Sequence, residues 1–294
     1  MEAGRLCKSN FTPELGIMVR RSFYILCVLW SLPAIGFGTE PLVTFYAIGD
    51  SPYSILEVPL LGAQVSALPD DARFLVHVGD IKLGSEPCKE TAYERVAALL
   101  KRCKQPVFIV LGDNEWNDCE QPDVARKLWD KYFLRFESHW NVPFEVIRSK
   151  ERPDNFAFRC GSVLFVGLTV VGGRVHDVAE WRQRHAANID WLAEQLLDAP
   201  PPSHCVVIGH AALGDAHKDF TQGLRRLARQ FGKPMLYLHG DGHSWIFDRP
   251  FGVDNLWRIQ LDRAGLTPPV QIRVHADARQ PFQFDRRLRT PSAN

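Results

Sequence analysis

An α/β domain built on a largely parallel sheet is the fold class that this 294-residue sequence predicts, and two patterns predict it. First, five apolar runs of strand length each end in glycine, and a side chain able to ligate metal follows the glycine. They are LVTFYAIG before Asp50, RFLVHVG before Asp80, PVFIVLG before Asp113, HCVVIG before His210 and PMLYLHG before Asp241. Near-continuous Val, Ile, Leu and Phe suits strands buried on both faces. Second, amphipathic segments separate the runs, at 91–104, 123–136, 179–197 and 218–231. Strands alternating with helices argue for parallel pairing, and ligands then gather outside the carboxyl ends of the strands.

Taken in chain order, the first element is not part of that domain. Arg20 and Arg21 precede an apolar run over 22–38 that closes on Gly36 and Gly38. A basic flank, a short apolar core and small residues make a secretory signal cleaved after Gly38. Met18 offers a start of conventional proportions, with residues 1–17 then lying ahead of the true start. Pro33 interrupts the run, which falls short of the about 20 apolar residues of a bilayer span, so no stable membrane span is expected. The expected product is periplasmic or secreted, with one domain over 39–294. It carries 31 basic against 32 acidic side chains, a balance with no signal for nucleic acid or an anionic membrane. Cys88, Cys103, Cys119, Cys160 and Cys205 remain after cleavage, an odd number in an oxidising compartment. Cys88 and Cys119, each shortly after one of the strand-end motifs, are the preferred pair; the alternative is five reduced core cysteines.

The five strands deliver Asp50, Asp80, Asp113, His210 and Asp241 to one edge, with His243 two residues further on. Glycine at each strand end gives the backbone room to turn sharply. A single Gly-Asp is an ordinary turn; five such ends in one domain argue for a shared site. Carboxylates with imidazoles suit Mn, Fe or Zn, and carboxylates also accept Mg. Two divalent ions about 4 Å apart can share one carboxylate, activate water as hydroxide and clamp the oxygens of an in-line displacement. Asp80 is the candidate bridge, because its strand is expected between those ending at Asp50 and Asp113. The sequence has no Cys-x-x-Cys pair, no Gly-x-Ser-x-Gly elbow and no Gly-rich phosphate loop ending in Lys-Ser/Thr. Thiolate sites, serine hydrolases and nucleoside triphosphatases are thereby disfavoured.

At these residues the sequence resembles the calcineurin-like metallophosphoesterases, which include the purple acid phosphatases. The matching segments are Gly49-Asp50-Ser51-Pro52-Tyr53, Gly79-Asp80-Ile81-Lys82, Gly112-Asp113-Asn114-Glu115, the lone His210, and Gly240-Asp241-Gly242-His243. Gly112 to Trp116 with Asp118-Cys119, and His239 to Ser244, look like a bacterial branch of that superfamily. The resemblance implies a four-layer αββα sandwich of two mixed sheets and a dinuclear site hydrolysing phosphomonoesters or phosphodiesters. On that pattern Asp50, Asp80 and His243, with Tyr53 as a further ligand, hold one ion. Asp80, Asp113, His210 and Asp241 hold the other.

Several positions depart from the family's pattern. Pro52 stands where Asp-x-His has its histidine, Asp113 where an Asn ligand is usual, Asp241 where the last motif has its first His. Carboxylates in place of neutral ligands make the site harder and favour Mg or Mn. Asn114 stands where the catalytic His belongs; it can hydrogen-bond a phosphoryl oxygen but is no proton donor, so good leaving groups are favoured or another residue takes over. His217 is the spare imidazole placed in that role, His176 and His239 are others, and His239 becomes a ligand if the register slips. Lys82 is placed on a substrate phosphate oxygen. Glu115 is expected to position Asn114 or a water, Trp116 to fill core, His77 to be structural, and 286–289 to form a solvated tail. Segment 137–153 is expected to be an insertion or cap. The competing reading is a degenerate domain that keeps the fold and binds metal, an anion or a protein without turnover.

Overall fold

The five apolar runs become strands, divided between the two mixed sheets that the family resemblance implies. The computed structural model describes residues 40–288; the export signal read at 1–38 lies outside the described residues. In chain order the first half holds β1 (Val43–Ile48), α1 (Glu57–Ser66), β2 (Leu75–His77), α2 (Glu90–Leu100), β3 (Val107–Ile109) and α3 (Pro122–Phe133). Then follow β4 (Val146–Arg148), β5 (Phe156–Cys160), β6 (Val163–Gly167), α4 (Val178–Leu197), β7 (His204–Ile208), α5 (Lys218–Phe231) and β8 (Met235–His239). The chain closes with β9 (Ile246–Asp248), β10 (Leu256–Gln260), β11 (Val270–Val274) and β12 (Phe282–Asp285). One sheet runs β12-β11-β1-β2-β3, the other β4-β5-β6-β7-β8-β10-β9. Both mix parallel and antiparallel pairs. The expected parallel core is thus split, three of its strands in one sheet and two in the other.

Side-chain alternation explains why the sheets stack. In β1, Phe45 and Ala47 face the second sheet, whereas Tyr46 and Ile48 face α1 and α2. The inter-sheet layer is strongly aromatic: the Phe74 ring meets those of Phe45, Phe108, Phe158 and Phe165 at 5.0–5.5 Å. On the far face of the second sheet, Leu164, Val166, Val207 and Tyr237 pack against Ile189 and Leu192 of α4 and Leu224 of α5. Helices, sheet, sheet, helices is the four-layer sandwich.

Two expected irregular segments turn out ordered. Residues 137–153 supply a 3-10 turn, Phe136–His139, and the edge strand β4, because Glu137 and Arg148 pair in a buried ion pair and Ile147 registers against Ala157. They extend the sheet instead of capping the site. At the other end, Arg286 folds back onto Asp262 at 2.7 Å and over Trp245, and Arg287 lies over Tyr46, so these two residues are anchored rather than a free tail. Among the described residues no helix is long and apolar enough to cross a membrane.

Register places the motifs. Tyr46 pairs with Leu75 and Ile48 with His77, and His77 pairs in turn with Ile109. The carboxyl ends of β1, β2 and β3 therefore stand level, with β2 in the middle. In the second sheet Ile208 pairs with Leu238, which levels the ends of β7 and β8.

Candidate metal centre

Each strand end turns within two residues, and glycine is only half of the reason. Gly79 has φ +95°, and a Cβ there would lie 2.7 Å from the Gly112 amide nitrogen and 2.9 Å from His210 Nδ1. The other strand-end glycines admit close neighbours rather than unusual dihedrals; a Cβ on Gly240 would meet Asp50 Oδ2 at 2.3 Å. The left-handed conformation falls instead on the polar residues themselves: Asp50, Asp80, Asp241 and His243 have φ between +53° and +70°. Asp is among the few side chains that tolerate this region, and such strain concentrates at functional sites.

A buried carboxylate holds two of these turns together. Glu115, fully buried, accepts from the amides of Gly112 (2.7 Å), Asp80 (3.2 Å) and Ile81 (3.2 Å). It locks the loop after β2 to the loop after β3, a role different from positioning Asn114. The disulfide Cys88–Cys119 joins the same two loops 31 residues apart in sequence, while Cys103, Cys160 and Cys205 are free and buried. His77 is structural: Nε2–H donates to the Ser51 carbonyl, and Nδ1 accepts from the Gly79 amide. Trp116 is core, with the Arg184 guanidinium 4.8 Å above its ring.

Seven predicted site residues meet in one place. Asp50, Asp80 and His243 form one group, and Asp80, Asp113 and His210 a second; within each, the ligand atoms lie within 4.8 Å of one another. Asp80 belongs to both. Tyr53 closes the first group, its hydroxyl 2.7 Å from Asp80 Oδ2 and 3.2 Å from His243 Nε2. Asn114 lies against the shared carboxylate, donating from Nδ2 to Asp80 Oδ2 and from its amide to Asp80 Oδ1. His210 Nδ1 donates to the Val78 carbonyl at 2.8 Å, which orients the ring and turns Nε2 toward Asp113 (2.7 Å) and Asp80 (3.3 Å).

The electrostatics call for a cation. Burial, together with Asp113, Glu115 and Asp50 nearby, pushes the Asp80 carboxyl well above its usual range despite His210. Burial alone would lower His210, but the Asp80 and Asp113 carboxylates drive it up. Burial would raise Asp113; His210 outweighs it and holds that carboxyl down. Asp50 Oδ2 is buried without a hydrogen-bond partner, and Asp113 Oδ1 is met only by His210 Nε2 at 2.7 Å. Buried polar atoms left unpaired are costly, and an oxygen-rich set completed by imidazole suits a divalent ion. The residues fit the expected metals.

Four predicted residues are not brought into either group. His217 is buried between Trp181 and His185, and its Nε2–H donates to the Val171 carbonyl, so it offers no proton to the site. Lys82 is neither at a phosphate position nor solvated: it is fully buried, and Nζ donates to the carbonyls of Leu83 and Glu86. His239 stacks on Tyr237 with Nδ1 on the Gly240 carbonyl, and burial lowers its pKa to about 3. Asp241 lies beside Asp113 across Gly172, but its Oδ2 accepts from the Ala212 amide at 3.0 Å. A residue assigned no role in the sequence does approach: the Asp118 carboxylate flanks Asp113 across Gly173 and accepts from the Arg174 amide. Its only sequence signal is an acidic side chain one turn beyond Asp113.

No protein-family model matches the chain, and no curated protein matches it. Solved structures do share its fold. A 5'-nucleotidase from Candida albicans SC5314 superposes with a TM-score of 0.54 at 15% identity, over 84% of this chain and 52% of that one. The purple acid phosphatase PPD1 of yellow lupin (Lupinus luteus) gives 0.50 at 10% identity, over 74% of this chain and 43% of that one. The chain thus spans about half the length of these two structures. Two mixed sheets between helices, with the acidic strand ends gathered at one mouth, are the calcineurin-like metallophosphoesterase fold, and this chain has it.

Proposed function

We propose that this protein hydrolyses phosphomonoesters or phosphodiesters at a dinuclear metal site. Asp50, Asp80 and His243 would hold one divalent ion, and Asp80, Asp113 and His210 the other. The observation that carries the reading is that Asp80 is the one residue common to both ligand groups. Bound divalent ions would supply a lowered pKa for water and charge neutralisation at the phosphoryl group. A carboxylate-rich set favours Mg or Mn. The fold shared with a nucleotidase and a purple acid phosphatase supports the reaction class.

The chain's own residues have distinct tasks in this reading. His210 keeps its proton on Nδ1, where the Val78 carbonyl accepts it, which leaves Nε2 free to ligate. Asn114 Nδ2, next to Asp80 and the Tyr53 hydroxyl, can donate to a phosphoryl oxygen. His217 and His239 are committed to the Val171 and Gly240 carbonyls. Departure of the alcohol therefore proceeds without a proton from Asn114, His217 or His239, and reactivity follows leaving-group acidity. The apolar run at 22–38 supports export of the mature chain to the periplasm or medium.

Metal analysis of the purified protein, with hydrolysis of an activated aryl phosphate and its diester in added Mn or Mg, tests the proposal. Turnover that depends on metal and falls at least about 10³-fold in Asp80→Ala is the expected outcome. A wild type that holds metal but turns over neither ester leaves a binding module. One that holds no metal overturns the ligand assignment.

A further inference from the structure

We infer that the substrate carries an apolar, aromatic leaving group seated against Tyr53, Ile55 and Leu83; this rests on the phosphoesterase reading above. A cavity of about 290 Å³ opens beside the first ligand group. Tyr53 is shared between the two: it lines the cavity, and its hydroxyl lies 2.7 Å from Asp80. An ester whose phosphoryl group sits at Asp80 thus has this cavity within reach of its organic part.

Beside Ser54, Ser85 and the Glu86–Arg95 pair, the wall presents three large apolar side chains, Tyr53, Ile55 and Leu83. Ile55, from the loop after β1, is 75% exposed, and Leu83, from the loop after β2, is 40% exposed. Scattered surface leucines need no explanation, but two from different loops converging on one cavity at a polar mouth do. The one cation in the wall, Arg95, is paired with Glu86 at 2.8 Å, so the cavity offers little net charge to an ionic group. Covering both side chains removes apolar surface from water, which favours binding by about 25 cal/mol for each Å².

Leaving-group chemistry points the same way from an independent observation. Asn114 beside Asp80 has no titratable proton, and His217 and His239 spend theirs on the Val171 and Gly240 carbonyls, so none of the three protonates a departing alkoxide. A phenol, whose pKa is about 10, departs as the anion far more readily than an aliphatic alcohol. In the balanced step water forms the new P–O bond and yields its proton to solvent. The bond to the aryl oxygen breaks, and that oxygen keeps the electron pair.

Calorimetric titration of the Mn-loaded protein with benzylphosphonate and methylphosphonate, neither of which is hydrolysed, tests the subsite. The benzyl ligand should bind at least about 10-fold more tightly, a difference of about 1.4 kcal/mol. The ratio should fall below about 3 in Ile55→Asp/Leu83→Asp and persist in Leu83→Met. Equal affinities in the wild type, or a ratio that survives the double substitution, overturn the inference. Hydrolysis of phenyl and ethyl phosphate, followed in parallel, separates the two readings. Preference for the benzyl ligand without turnover of either ester keeps the subsite and sinks the phosphoesterase reading. Turnover with equal ligand affinities does the reverse, and failure to bind either phosphonate overturns both.

Discussion

The two ligand groups share Asp80 yet differ in almost everything that surrounds them. In one, Asp80, Asp113 and His210 are all buried, and His210 is oriented through Nδ1 by the Val78 carbonyl. In the other, Asp50 is buried but His243 is 47% exposed, and its Nε2 is held only by the neighbouring Asp50 and Tyr53. The hydrogen bond to Asp50 raises the His243 pKa. The buried half is preorganised by groups that touch no metal; the open half takes its order from the ligands themselves. Ligand supports of the first kind are worth roughly 10–100-fold in affinity, so the proposed dinuclear centre would hold its two ions with unequal tenacity, the exchangeable one nearest solvent.

The sharpest way to break this comparison is to remove one imidazole at a time. His210→Ala should lower affinity for the tighter ion by at least about 10²-fold, and His243→Ala should affect only the weaker, by about 10-fold. Stepwise titration with Mn, followed by calorimetry, reads both. Equal losses would mean that burial and the Val78 bond confer no advantage. Glu115→Gln asks whether the support resides in the loop anchor. The amide would set a donor against one of three backbone N–H groups, costing about 1–3 kcal/mol of stability and weakening the buried ion about 10-fold. Thermal melts of metal-free protein beside the same titration separate those two effects.

The smallest effect concerns pH and distinguishes structural from ligating histidines. Burial lowers His77 to about 4 and His239 to about 3. Their folded pKa values lie below the unfolded value near 6.5, so their stabilisation is complete above about pH 6.5 and is lost as pH falls toward the folded values. Each contributes a slope of about 1.4 kcal/mol per pH unit over that range. His210 and His243 are raised instead. In metal-free protein their stabilisation is present below about pH 6.5 and disappears as pH rises through the raised values. Melts between pH 7 and 5 should therefore show a shallower acid loss without metal than with it, since ligation blocks protonation of the second pair. Identical slopes would place all four histidines in one class.

The strands of the site were legible because each is buried on both faces and announces itself as an unbroken apolar run; β1, β2, β3, β7 and β8 all sit where those runs lie. The division into two sheets was legible through the family resemblance and not through periodicity, because it depends on which face of Phe45, Phe74 and Phe108 meets Phe158 and Phe165, and alternation along one strand cannot say what lies opposite. Short antiparallel edges such as β4 and β9 carry three residues each and too little periodicity to be read. At the site, Asp50, Asp80, Asp113, His210 and His243 follow from position at strand ends. Lys82 and His217 show the limit of that logic: five and nine residues past the ends of β2 and β7, a side chain points wherever local carbonyls claim its donors, here Leu83, Glu86 and Val171. Glu115 was visible as an acid but not as an anchor, because its three amide partners come from two loops, Asp80 and Ile81 in one and Gly112 in the other.

The left-handed backbone at Asp50, Asp80, Asp241 and His243 acts as a filter on the residue alphabet available for re-engineering the centre. A β-branched or long side chain at these positions would meet the conformational penalty before its chemistry mattered, whereas Asn shares the tolerance of Asp for that region. Exchanging metals by trading charge for neutrality is therefore conformationally cheap here through Asp→Asn, and costly through Asp→Glu, although the latter alone preserves the carboxylate. Asp113 is free of that constraint, its φ being ordinary. It is the ligand position at which a designer has the widest choice.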